Sequence, residues 1–264
     1  MTVTRATIFL GVLTLLFTAG VANAGGPPGT CGALPGWSDL RQSPIAANGH
    51  VNLILNNNMW ATIVAADGTV CAVANTGNDD LESQWLLSRV ISAQKANTAN
   101  GLSLQAGEAP NSTLKGLALS TANLWKAVQP GGSLYGLQHS NPVNTDVAYR
   151  GTAQSFGTSN DAMVGGRIGG VNVFGGGLAL YDKHGRRVGG VGVSGDTSCR
   201  DHMVAWELRH NLGLDFVPNG VTGDPTHPDN IIFDVTNGFG HPNCLDPAGE
   251  NAARASLTPV TPLH

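Results

Sequence analysis

The stretch GGVNVFGGGLALYDKHGRRVGGVGVSGD, residues 169–196, constrains this chain more than any other. Val171, Val173, Leu178, Leu180, Val188, Val191 and Val193 recur at strand spacing and mark three short strands. Asp182-Lys183-His184-Gly185 supplies the residues of a tight turn between the last two, so those two run antiparallel. Gly190 and Gly192 alternate with the valines, and missing side chains there let a helix or a ligand come close to the sheet. Asp196-Thr197-Ser198 then offers N-cap residues for a helix over about 198–212 that stops near Gly213.

The same segment holds Gly190-Val191-Gly192-Val193-Ser194-Gly195, a literal G-x-G-x-x-G, with Asp215 near the place of a ribose-binding acid. A dinucleotide site needs those glycines in the turn after a parallel strand. Here the first two fall inside a strand whose upstream partner is joined by a hairpin, so the nucleotide reading is set aside.

A second hairpin is read around Ala66-Asp67-Gly68-Thr69, with strands at about 59–66 and 69–75. Leu81, Trp85, Leu86, Val90 and Ala93 recur at helical spacing and predict a helix over about 80–98. Residues 99–165 read as long loops with one short helix capped at Ser120 or Thr121. Residues 25–50 read as an irregular lead-in, and 218–264 as an irregular C-terminal tail. Hairpins, helices and antiparallel connections together give an α+β domain with helices packed on one antiparallel sheet.

The N-terminus predicts the compartment. Arg5 precedes a long apolar run that ends at Ala22-Asn23-Ala24, the pattern of a secretory signal cut after Ala24. The remaining chain of about 240 residues is expected to be periplasmic or secreted, with no membrane span after cleavage. Its charge balance is weakly acidic (the whole chain carries −4), which lacks the electrostatic footprint of a nucleic-acid binder. Four cysteines in an oxidising compartment are expected to form disulfides.

The Val64–Gly68 hairpin, the helix through Lys95, the run Phe174-Gly175-Gly176-Gly177 and the GVSGD of residues 192–196 resemble the GlcG/HbpS-type haem-binding family. That family is itself similar to the C-terminal domain of corrinoid adenosyltransferases. The resemblance runs over about 51–217, with 99–165 as an insertion. It implies a five-stranded antiparallel sheet of the profilin-like/GlcG-like kind, homo-oligomers from dimers up to octamers, and haem as the possible cofactor. The insertion, the tail and the four cysteines depart from the short members.

Cys199-x-x-His202 and His241-x-x-Cys244 have the spacing of a Cys₂His₂ zinc site. The competing reading is a Cys199–Cys244 disulfide, which leaves Cys31 and Cys71 to pair. With the sulfurs bonded, His202, in the first turn of a helix, is the leading iron ligand, because the helix dipole favours its neutral form. Its alternative role is to cap tail backbone. His139 and Tyr135, in the insertion, are further ligand candidates, since haem iron takes either residue type. Lys95 and Arg167 could neutralise propionates, and Gly175 and Gly176 could floor the ligand pocket. His210 is read as solvent-facing beside Glu207 and Arg209, and His184 as an exposed turn residue.

No catalytic residue is assigned. There is no G-x-S-x-G elbow, and the adjacent Asp201 and His202 have poor geometry for a triad pair. The expected function is an exported haem or tetrapyrrole binder that carries or buffers its ligand. The alternatives are an enzyme or binder for a small organic acid gripped by Lys95 or Arg167, and an oligomeric interaction module without a ligand.

Overall fold

The computed structural model describes residues 30–48, 54–77 and 83–264. The signal-peptide reading of residues 1–24 lies outside them. In chain order the elements are α1 (Trp37–Asn48), β1 (Trp60–Ala65), β2 (Val70–Asn75), α2 (Ser88–Gly101), the short α3 (Thr145–Ala148), β3 (Gly177–Tyr181), β4 (Arg187–Ser194), α4 (Ser198–Asn211) and α5 (Pro247–Ala255).

The strands form one sheet in the order β2-β1-β4-β3, with every pair antiparallel. It has four strands among the described residues, where the resemblance implied five. The Val171–Val173 stretch, read as a strand, carries no ladder. The two hairpins stand where the sequence put them. In the first, Gly68 adopts φ +83 and the Asp67 carboxylate accepts from Thr69 N at 3.0 Å, the geometry for which Asp-Gly is suited.

Helix α2 covers one face of the sheet, and α1 with α4 the other. The strands alternate accordingly. Trp60, Val64, Val70 and Val73 join the cluster with Val90, Ala93 and Ala96 of α2. Ala61, Ile63, Val191 and Val193 join the cluster with Met203, Val204 and Leu208 of α4. Gly190 and Gly192 point at α2, where an added Cβ would lie 2.3 Å from the Ala96 carbonyl oxygen and 1.9 Å from that of Ser92. The missing side chains thus admit a helix, and α2 answers with Ser92, Ala93 and Ala96.

Three boundaries depart from expectation. The lead-in is not wholly irregular: α1 inserts Leu40 into the core, and the Trp37 indole donates to the Gly157 carbonyl at 2.7 Å. Helix α2 begins at Ser88, not near 80. Trp85 and Leu86, read as its buried stripe, are 58% and 61% exposed, and Leu81 lies outside the described residues. The run Trp85-Leu86-Leu87 has helical apolar spacing but serves a surface cleft. The tail is also ordered, with α5 capped by the Asp246 carboxylate on Gly249 N and Pro247 in its first turn.

The insertion is partly core. Ser120 and Asn123 form a reciprocal cap on a 3₁₀ turn, and Leu119, Leu124 and Val128 bury against Val173. Disulfides join Cys31 to Cys71 and Cys199 to Cys244. Each closes a loop of 40 or 45 residues, a constraint on the unfolded chain worth roughly 3–4 kcal/mol.

Candidate functional site

Two places bring chemistry-bearing residues together. The first is a buried polar seam between α2, α4 and the tail. Lys95 of α2 is fully buried, and its Nζ donates to Asp201 Oδ2 at 2.7 Å and to the Val193 carbonyl at 2.9 Å. The Phe174 ring lies 4.8 Å from the same Nζ. Burial pushes the Asp201 carboxyl up to about 6 against the pull of Lys95, and burial lowers the Lys95 ammonium against the pull of Asp201. Lys95 therefore has no donor aimed at solvent.

Gly175 and Gly176 belong to this seam and do not floor an open pocket. A Cβ on Gly175 would meet the Ser198 carbonyl at 2.2 Å, and one on Gly176 the Val193 carbonyl at 2.4 Å and Lys95 Nζ at 2.9 Å. The neighbouring backbone and Lys95 fill the space that a ligand would need.

His202 is fully buried in the seam. Its Nε2 sits 3.1 Å from Asn230 Oδ1, which also accepts from Ile231 N at 2.8 Å. Ile231 N also donates to Nε2 at 3.1 Å, and Nδ1 has no hydrogen-bond partner. The chemistry is that of a neutral, ligating imidazole, but α4, the glycine run and the tail enclose it. Next along, Arg209 makes a two-pronged ion pair with Asp229, both fully buried, and Glu207 accepts from Thr258 N and Oγ1. The solvent-facing surroundings expected for His210 are thus corrected. Charges on α4 face the tail, and His210 Nδ1 contacts Asp215 at 2.8 Å.

These buried histidines make stability pH-dependent. Burial pushes His202 down to about 3 and His241 down to about 4, from an ordinary 6.5. The unfolded chain takes up both protons near pH 6.5 and the folded chain does not, so their contribution is complete above 6.5 and drains as pH falls. Each withheld proton costs about 1.4 kcal/mol per pH unit. Asp201 acts oppositely between about 6 and its ordinary 3.8, since the folded state keeps a proton that the unfolded state releases. Two protons against one leave a net loss of stability as the pH falls from 6 to 4.5, on the order of 1 kcal/mol per unit. Urea midpoints measured across that range check it, and a flat profile would refute it.

The second place is an apolar cleft of about 230 Å³ at the start of α2, lined by Trp60, Leu86, Leu87, Val90, Tyr149 and Phe156 among others. Leu86, Leu87 and Tyr149 are each more than half exposed, and Trp85 beside them is 58% exposed. So much aromatic and branched surface in one place marks a binding surface. Arg89 lies beneath, its guanidinium on Asp161 and 3.7 Å from the Phe156 ring centroid. Sequence reasoning missed this cleft. Its signal was Trp85-Leu86-Leu87, three apolar residues in a row where an amphipathic helix allows two.

The remaining candidates are scattered. His139 and Tyr135 are exposed on the insertion and do not line the cleft. Arg167 is exposed and paired with Asp67 at 2.8 Å, and His184 is exposed in its turn. Lys95 and Arg167, proposed to grip an organic acid, are thus far from sharing one site: one is sealed in the seam and the other lies on the surface. Of the four residues with zinc-like spacing, Cys199, His241 and Cys244 cluster with ligand atoms within 4.8 Å, and His202 is not among them. The two sulfurs are bonded to each other.

Residues 46–208 match the family of haem-degrading, HbpS-like proteins, a span of more than half the chain. The chain belongs to this family. The match ends within α4, so the tail of this HbpS-like chain lies beyond it. No curated protein matches the chain significantly. Among solved structures it is similar to a PduOC–haem complex, with 23% identity over 69% of this chain and 96% of that one, at a TM-score of 0.43. Klebsiella pneumoniae protein ORFY gives 21% identity, 67% and 90% coverage, and a TM-score of 0.41. A double mutant of Streptomyces reticuli HbpS gives 14% identity, 79% and 99% coverage, and a TM-score of 0.39.

Proposed function

We infer that this HbpS-like chain binds haem or a related tetrapyrrole in the apolar cleft beside the start of α2, and that it carries or buffers this ligand outside the cytoplasm. The cleft is the observation that carries the reading. A tetrapyrrole is a flat macrocycle with apolar faces, and Trp60, Leu86, Leu87 and Phe156 offer apolar and aromatic walls to such a plane. The exposed phenol of Tyr149 stands in the same lining, and tyrosine is one of the side chains that ligate haem iron. When bound, haem would supply the iron centre. The chain's own contribution is apolar burial of the ring and an oxygen donor for the metal.

The disulfide bonding of both cysteine pairs favours an oxidising compartment. No helix among the described residues is long and apolar enough to cross a membrane. Trp85 extends the apolar surface past the cleft, and a second copy of the chain would cover it, in keeping with a homo-oligomer.

Hemin titration followed through the Soret band tests the reading. Tyr149→Phe is expected to shift the band and weaken binding. Leu87→Asp is expected to weaken it at least about tenfold, the effect of one buried leucine replaced by a charge. His139→Ala is expected to leave both unchanged. A Soret band lost in His139→Ala and unmoved in the two cleft variants would overturn the assignment.

A further inference from the structure

The Cys199–Cys244 disulfide has His241 beside it, and the three ligand atoms lie within 4.8 Å of one another. We propose that reduction of this bond converts the staple into a Cys₂His site for a thiophilic divalent cation such as Zn²⁺. The step balances with a dithiol as reductant. The dithiol delivers two electrons and two protons to the Cys199–Cys244 bond and leaves as its own disulfide. The cation then displaces both thiol protons and is held by two thiolates and one imidazole.

Three observations place the ligands for this role. First, His241 Nδ1 lies 2.7 Å from the Pro242 carbonyl. A carbonyl can only accept, so Nδ1 carries the proton and Nε2 presents its lone pair. Metal-binding histidines are commonly oriented by such a bond from the far nitrogen to a carbonyl. That Nε2 faces the sulfur side, 3.4 Å from Ser198 Oγ, which is itself 3.4 Å from Cys244 Sγ.

Second, Cys199 N, in the first turn of the fourteen-residue α4, donates to Cys244 Sγ at 3.2 Å. An amide donor at a helix start favours the thiolate over the thiol.

Third, Cys244 does not depend on the sulfur bond for its position. The Glu250 carboxylate accepts from Cys244 N, Leu245 N, Asp246 N and Asn243 Nδ2, between 2.9 and 3.2 Å. This holds the 243–246 loop against α5. A tetrahedral zinc site needs ligand atoms roughly 3.5–3.8 Å apart, so the sulfurs need only part from bonding distance while the backbone stays in place. Cys199 is buried and Cys244 half-buried, so Cys244 is the more exposed member of the pair.

Anaerobic Co²⁺ titration of the full chain, reduced with dithiothreitol and then desalted, tests the proposal. The expected result is one Co²⁺ per chain, with near-ultraviolet sulfur-to-cobalt charge-transfer bands and visible bands of tetrahedral strength. The oxidised protein is expected to bind none. Cys31→Ser/Cys71→Ser is expected to bind as the parent does, and Cys244→Ser not at all. His241→Gln, which keeps both cysteines and can still form the disulfide, is expected to weaken binding more than tenfold and to lose the tetrahedral bands. A reduced chain that stays folded by near-ultraviolet circular dichroism but takes up no Co²⁺ would overturn the proposal. So would a reduced chain that unfolds, or unaltered bands in His241→Gln.

Discussion

Gly192→Ala is expected to destabilise the protein by about 3 kcal/mol or more, at the upper end of what overpacking costs. The added methyl would stand 1.9 Å from the Ser92 carbonyl oxygen and 2.6 Å from Ala96 N, both backbone atoms of α2. No rotamer change relieves such a clash. The helix must lift from β4, and lifting it disturbs the Thr62–Ser92 hydroxyl contact at 2.7 Å and the Lys95–Asp201 ion pair. Gly238, whose added Cβ meets nothing within 4 Å, is the control, and alanine there is expected to change stability by no more than about 0.5 kcal/mol. Equal urea midpoints for the two variants would show that α2 does not need the bare strand.

Lys95→Met is expected to cost about 3–5 kcal/mol at pH 7.5, the range found when one partner of a buried ion pair is removed. Without Lys95, the Asp201 carboxylate keeps the amide hydrogen bond from Asp196 N at 2.9 Å and has lost its cation. The carboxyl is already pushed up to about 6 with Lys95 in place, and without it moves higher still. The cost is therefore expected to shrink as the pH falls from 7.5 toward 6, because the variant's Asp201 takes up its proton before the parent's does, and to level off below that. Lys95→Met/Asp201→Asn is expected to recover more than half of the loss at pH 7.5. Denaturant unfolding of both variants at pH 7.5 and 5.5 decides it. A loss that does not change with pH would mean that Lys95 acts through packing alone.

What could be read from the sequence follows from how local each signal is. Asp67-Gly68 and Asp182–Gly185 fix two hairpins because a turn is decided by the residues within it. Thr197 caps α4 by accepting from Arg200 N for the same reason. Gly190 and Gly192 could be read as a place of close approach, although not as to what approaches. The surroundings of α4 were not legible. Its charges at Glu207 and Arg209 look like a solvent face, and only the tail, some twenty to fifty residues further on, supplies Asp229 and Thr258 to bury them. Long-range partners of that kind leave no periodic trace.

The candidate site shows the same limit. His202 and His241 attracted attention by their spacing to cysteines, and the structure puts one in the seam and the other at the disulfide. Tyr149 has no sequence mark, because its place in the cleft depends on the insertion returning past α2.

The two disulfides, described above as constraints on the unfolded chain, also bear on how the protein is made. Cys31 pairs with Cys71 and Cys199 with Cys244, so the loops follow one another along the chain and are neither nested nor interleaved. A chain emerging from its N-terminus presents both members of the first pair before either member of the second. Oxidation in order of appearance gives the native connectivity directly, without the reshuffling that slows disulfide-linked folding. On that order, maturation is expected to need a thiol oxidase and no isomerase.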